Sequence, residues 1–324
     1  MSPILARESY GLTNTFRLRS AWATVVVAPD AGRIVAMAFD TTDNVLRLDE
    51  QLLARAPAGE SDSDWHNHGG DWLWPVAQGR WNLLQQGDWP PPALLRNPAW
   101  LARAWENVDG GKCCLLSREF GEPLNIRVSR LVRVDPGQAR IDIRQRIERI
   151  APSDIPVCLW QISQVAGANR VVLPVETNSA FTGGYRVVAF SEPGAEMTTR
   201  ADGAVAFDLA QGTEHKVGSD SPRAWIAAQK GDALILAYAR GGDAGGEFPD
   251  GGCRTTFYAN SGLGYTEIET MSVEKKLAPG ERLENTVRIE LYKVAPDLPA
   301  EQLIQKIRQW RGEIMANVTR ASSP

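Results

Sequence analysis

Apolar and polar residues alternate with a period of two through most of this chain, which commits it to strands with one face against a core rather than to a helical bundle. The pattern starts early, in Ala23-Thr24-Val25-Val26-Val27 before the turn Pro29-Asp30-Ala31-Gly32. Residues 125–134, the turn Asp135-Pro136-Gly137 and residues 139–150 predict a hairpin with Ile141, Ile143 and Ile147 on one face and charges opposite. Further strands are predicted over 157–165, 185–190, 224–229, 233–238, 255–259, 265–271 and 283–294. Their short, turn-bounded spacing fits a mostly antiparallel, all-β fold. One helix is expected at about 299–312, where Asp297 can cap, Pro299 suits the first turn and Leu303, Ile304, Ile307 and Trp310 share a stripe. Residues 240–252, rich in Gly and Asp, read as a mobile loop. No linker composition or internal repeat divides the sequence, so one domain over residues 1–324 is expected.

Composition narrows the partners. A net charge of -4 and interspersed arginines give no positive field for nucleic acid. No apolar run approaches the roughly 20 residues of a membrane-spanning helix, and the N-terminus lacks the apolar centre of a signal peptide. The four cysteines, two of them adjacent, have no zinc spacing and read as reduced core thiols. A cytoplasmic protein is expected, or a periplasmic one whose leader has been removed.

Seven of the eleven tryptophans, Trp65, Trp72, Trp74, Trp81, Trp89, Trp100 and Trp105, fall in one stretch with His66 and His68. An indole offers a wide apolar face and one N–H donor, which suits stacking on a pyranose ring while polar neighbours bond its hydroxyls; ordinary core packing is the alternative. Trp72 and Trp74 share a face if extended, and with His66, His68 and Asp71 they form the densest aromatic and polar mixture in the chain. A second constellation is Tyr265-Thr266-Glu267-Ile268-Glu269, in which strand periodicity puts Glu267 and Glu269 side by side. Neighbouring carboxylates can separate their pKa values and leave one ionised as a base; a solvated strand face is the alternative. His215, Lys216 and Arg80 read as surface residues. No cofactor is expected, and His66 and His68 would need distant ligands to hold a metal. Phosphate-binding, dinucleotide and nucleophile-elbow motifs are absent from the sequence.

Two segments carry a resemblance: His68-Gly69-Gly70 followed by Trp74-Pro75, and Ile268-Glu269-Thr270 followed by Leu277-Ala278-Pro279-Gly280-Glu281. Together they resemble galactose mutarotase-like proteins, mixing the H-G-G and L-E-T patterns of aldose 1-epimerases with the W-P of hexose-phosphate mutarotases. The resemblance runs from about residue 23 to residue 294. It implies a β-supersandwich of two large antiparallel sheets with a sugar across one face, Glu269 as base and His68 as a sugar-binding histidine. The family's acid histidine maps onto Leu159-Trp160-Gln161-Ile162-Ser163-Gln164-Val165, with Trp160 in its place. An indole cannot donate that proton, so His66 or His68 is the expected acid, with Glu267 tuning Glu269. His66, Asp71, Trp72, Trp74, Trp160 and Gln161 are the expected sugar contacts. The function implied is carbohydrate binding, with aldose 1-epimerase activity, a non-catalytic sugar-binding module and a polysaccharide-active enzyme as its three forms.

Overall fold

The computed structural model describes residues 5–10, 13–39, 43–55, 65–96, 99–210, 212–242 and 245–321. Their strands form two ten-stranded sheets. In spatial order the first contains β1 (Glu8–Tyr10), β2 (Thr13–Arg19), β3 (Ala23–Ala28), β4 (Arg33–Phe39), β5 (Asp71–Trp74), β10 (Trp160–Ala166), β19 (Tyr265–Met271), β18 (Thr255–Asn260), β15 (Glu214–Ser219) and β12 (Arg186–Phe190). The second contains β13 (Thr198–Ala201), β14 (Ala204–Asp208), β11 (Arg170–Pro174), β16 (Trp225–Lys230), β17 (Ala233–Gly241), β20 (Arg282–Lys293), β9 (Arg140–Arg149), β8 (Ile126–Val134), β7 (Lys112–Phe120) and β6 (Leu101–Glu106). Neighbouring strands pair antiparallel throughout. This is the two-layer supersandwich.

Alternation decides which side chains meet between the layers. Ile141, Ile143 and Ile147 point inward from β9, as expected, and join Val25, Val27, Leu173, Val287 and Ile289 in one apolar core. Each such side chain, fully buried, contributes about 1.5–3 kcal/mol. The hairpin register pairs Val134 with Ile141, and its turn is held by Asp135, whose Oδ1 accepts the Gly137 N–H at 2.9 Å.

A polar seam crosses this core. Asp71 of β5 forms a fully buried ion pair with Arg130 of β8, across the two sheets. The other Asp71 oxygen accepts Gln161 Nε2 at 2.7 Å and Ser163 Oγ at 2.6 Å, and Gln145 of β9 donates to Gln161 at 2.7 Å. Asp71 and Gln161 therefore face the second sheet.

Some elements differ from the sequence expectation. β10 begins at Trp160 rather than at 157, because the Leu159 N–H is taken by the Ser272 hydroxyl instead of a ladder carbonyl. The stretch expected to be a loop at 240–252 is partly built in: β17 runs on to Gly241, Glu247 bridges to Glu274, and Pro249–Gly252 turns tightly onto Cys253. Strands β11 and β14 lack alternation because the C-terminal helix covers the outer face of their sheet, burying Val172, Ala204 and Ala206 against Leu303 and Ile307. That helix spans Ala300–Ala321, longer than expected. Among the described residues, no helix is long and apolar enough to cross a membrane. All four cysteines are free and buried.

Candidate functional site

The pocket lies on the face of the first sheet turned away from the second, and strand register builds it. One row across the sheet pairs Gln164, Glu267, Tyr258 and Lys216 on successive strands. A parallel row pairs Trp72, Ile162, Glu269 and Thr256, and a third pairs Tyr265, Asn260 and Glu214. Directly paired residues point to the same side, so three rows of short strands bring distant segments onto one surface. Gly218 continues the second row, and a side chain there would strike Cys253 Sγ at 2.4 Å and Thr256 Cγ2 at 2.7 Å.

The cavity holds about 430 Å3, within the range of small-molecule sites. Its walls are strongly aromatic: Trp65, Trp72, Trp74, Trp89, Trp160, Phe190, Tyr258 and Tyr265 line it, with Asn67, Gln78, Glu214, Lys216, Asn260, Glu267 and Glu269 as polar groups. Trp74 meets Trp72 and Trp160 edge to face, at centroid distances of 5.5 and 5.0 Å, which fixes the inner wall.

Glu269 is almost fully buried and tightly held. Its Oε2 accepts Trp160 Nε1–H at 2.9 Å and the Thr256 hydroxyl at 2.5 Å, with Lys216 Nζ 3.8 Å away. Burial raises its pKa, and Lys216 with the two donors opposes the rise. Glu267 has a leaner set, Gln164 Nε2 at 2.7 Å, and burial followed by the Glu269 charge pushes it up to about 7. Lys216 also pairs with Asp250 at 2.9 Å and lies 5.1 Å from the Trp160 ring centroid. Burial pulls the Lys216 pKa down, but Glu269 and Asp250 overcome it and hold the ammonium above its ordinary range. Tyr258 donates to Glu214 at 2.6 Å, and Asn67 donates to the Tyr265 hydroxyl at 3.2 Å.

The expected site residues divide by strand face. Trp72, Trp74, Trp160, Glu267 and Glu269 come together in the pocket. Asp71 and Gln161 alternate with these tryptophans and so sit behind the wall, in the polar seam. His66 and His68 do not line the cavity, their rings lying 6.5 Å apart. His68 is fully buried, and burial, then the Arg33 charge, lowers its pKa to about 3, which disfavours the imidazolium that the acid role would need. The two glycines after it serve backbone packing: both have positive φ, and a side chain would strike the Arg47 carbonyl oxygen at 2.2 Å from Gly69 and that of Ile34 at 2.4 Å from Gly70.

Other functional groups lay outside the sequence expectation. Lys216 and His215 are buried rather than on the surface, and Glu214, Asp250, Tyr258 and Asn67 carried no motif. The one available signal was that Glu214 and Lys216 share a strand face; placing it beside Glu267 needs the β15–β18–β19 register. Arg80 lies away from the pocket, paired with Glu274 at 3.1 Å. Among the described residues, no group of three His, Cys, Asp or Glu side chains is placed to hold a metal ion.

The two-sheet fold is similar to that of galactose mutarotase-like proteins, and an aromatic, carboxylate-bearing pocket lies on one of its sheets. The chain is similar to a galactose mutarotase-like protein of Clostridium acetobutylicum, at 9% identity and a TM-score of 0.58 over 90% of this chain and 99% of that one. A Salmonella typhimurium protein provisionally assigned as a mutarotase gives 12% identity and 0.57, over 91% and 95% of the two chains. An Escherichia coli K12 protein provisionally assigned as an aldose 1-epimerase gives 10% and 0.54, over 86% and 99%. No family model and no curated protein matches the sequence. At these identities the likeness is one of fold alone.

Proposed function

We propose that the chain binds a sugar in this pocket. The observation that carries the reading is the joining of Trp72, Trp74 and Trp160 with Glu267, Glu269, Asn67 and Lys216 in one cavity: flat apolar faces for the C–H side of a pyranose, with donors and acceptors for its hydroxyls. Among the described residues, Lys216 is the only lining residue with a formal positive charge, and it is already paired with Asp250 and Glu269, which favours a sugar without phosphate. The test is a titration of tryptophan fluorescence against free aldoses and aldose phosphates. Quenching by unphosphorylated sugars is expected, and no response to any of them would remove the reading.

The donor asymmetry of the two glutamates favours a second step, exchange of the sugar's anomers. Glu269, with two donors and an ammonium, is the group that keeps its charge; Glu267 is the one that holds a proton. Glu269 would then take the proton of the anomeric hydroxyl while Glu267 gives its proton to the ring oxygen, so the C1–O5 bond breaks and C1 becomes a carbonyl. Rotation and the reverse transfers close the other anomer and return both protons. The two sugar oxygens share C1, so two side chains two residues apart on one strand have suitable reach. In this scheme Glu267 fills the role for which no histidine lines the pocket. The rate is expected to fall as pH rises through about 7, where Glu267 loses its proton, and to fall again in acid as Glu269 gains one. Glu267→Gln should remove the alkaline fall and lower exchange by about 10²–10⁴-fold. An unchanged pH profile in that variant would exclude Glu267 as the acid.

A further inference from the structure

The cavity has two tiers. Trp72, Trp74 and Trp160 form an inner wall that is almost wholly buried, beside Glu267 and Glu269. At the mouth stand three large apolar side chains that are unusually open for their size: Trp89 is 60% exposed, Phe190 58% and Leu263 54%. All three line the same cavity and come from separate segments: the loop over residues 84–92, the end of β12 and the turn after β18. Phe190 also has a φ of +66°, a conformation that a bulky side chain rarely adopts and that persists only where the surroundings enforce it. Its ring lies 5.5 Å from that of Tyr258, and Trp89 meets Trp65 nearly edge-on at 6.0 Å, so both outer rings are continuous with the inner aromatic surface.

Exposed apolar groups that extend the aromatic wall of a pocket to its mouth are costly in water and mark a contact surface. A single pyranose engaged by the carboxylates would sit on the inner tier and leave the outer one uncovered. We propose that the ligand is an oligosaccharide of at least two pyranose rings, its reducing-end ring on Trp72, Trp74 and Trp160 and its next ring on Trp89, Phe190 and Leu263. This rests on the sugar-binding reading above. The free anomeric carbon then lies at the glutamates, and the glycosidic bond runs outward past Glu214 and Asn260, which line the same cavity and offer polar partners.

The experiment is calorimetric titration of the full chain with glucose, galactose and N-acetylglucosamine and with disaccharides whose reducing end is each of these, namely maltose, cellobiose and lactose for glucose, β-1,4-galactobiose for galactose and chitobiose for N-acetylglucosamine, repeated with Trp89→Ala and Phe190→Ser. At least one disaccharide should bind about tenfold or more tightly than its own reducing-end monosaccharide, and both variants should lose that margin while monosaccharide affinity stays within about twofold. Equal affinity for monosaccharides and disaccharides, or a disaccharide margin that survives both substitutions, would overturn the two-ring assignment while leaving sugar binding standing. Absence of binding by every sugar would overturn both. Trp89 and Phe190 are surface side chains, and an unshifted melting temperature in each variant verifies that only the mouth has changed.

Discussion

Asp71→Ala is expected to lower the free energy of unfolding by about 3–5 kcal/mol, with Arg130→Ala doing the same, the cost of leaving one member of a buried ion pair without the other. Both side chains have no exposed surface, and Arg130 is inserted from the opposite sheet, so water cannot replace the lost carboxylate. Alanine at 71 also strands the donors of Gln161 and Ser163. Denaturant unfolding of the two single variants and of Asp71→Leu/Arg130→Met measures the effect. The double variant should be far less destabilised than the sum of the singles, because it removes both charges. A loss below about 1 kcal/mol in Asp71→Ala would mean that the pair is not closed to solvent.

Glu269→Gln is expected to cut anomeric exchange by about 10²–10⁴-fold while sugar-dependent fluorescence quenching persists. The amide oxygen can still accept from Trp160 Nε1 and the Thr256 hydroxyl, and Lys216 keeps Asp250 at 2.9 Å, so the pocket retains its shape and loses a base. Two-dimensional NMR exchange between the α and β anomer signals reads the rate, and fluorescence reads the affinity. Exchange at the wild-type rate would remove Glu269 from the chemistry, whereas loss of binding along with exchange would assign it to ligand recognition.

Strand periodicity explains what was legible in the sequence and what was not. The hairpin at β8–β9, the bounds of β19 and the common face of Glu267 and Glu269 follow from a period of two, which is local information. The same period, applied to the run from His66 to Trp74, separates Trp72 and Trp74 from Asp71; grouping those residues by proximity in sequence placed Asp71 at the sugar, and Gln161 beside Trp160 likewise. Closeness along a strand is not closeness in space, because neighbours face opposite layers. Lys216 illustrates the remaining gap. Its strand reads as polar, and only pairing with β18 and then β19 carries its ammonium to within 3.8 Å of Glu269. Such long-range register is set by the packing of the whole sheet, not by any window of sequence.

The strands that carry the inner wall, β5 and β10, also carry the Asp71 seam that ties the two sheets together. Opening the floor of the pocket would therefore require parting the sandwich itself, so amide protons of β5, β10 and β19 should be among the slowest in the protein to exchange with deuterium, while those around Trp89 and Leu263 turn over quickly. A guest would meet a floor already set in its final shape and would lose little affinity to ordering it. Adaptation to different guests would fall to the mouth, where substitutions can accumulate without loosening the fold.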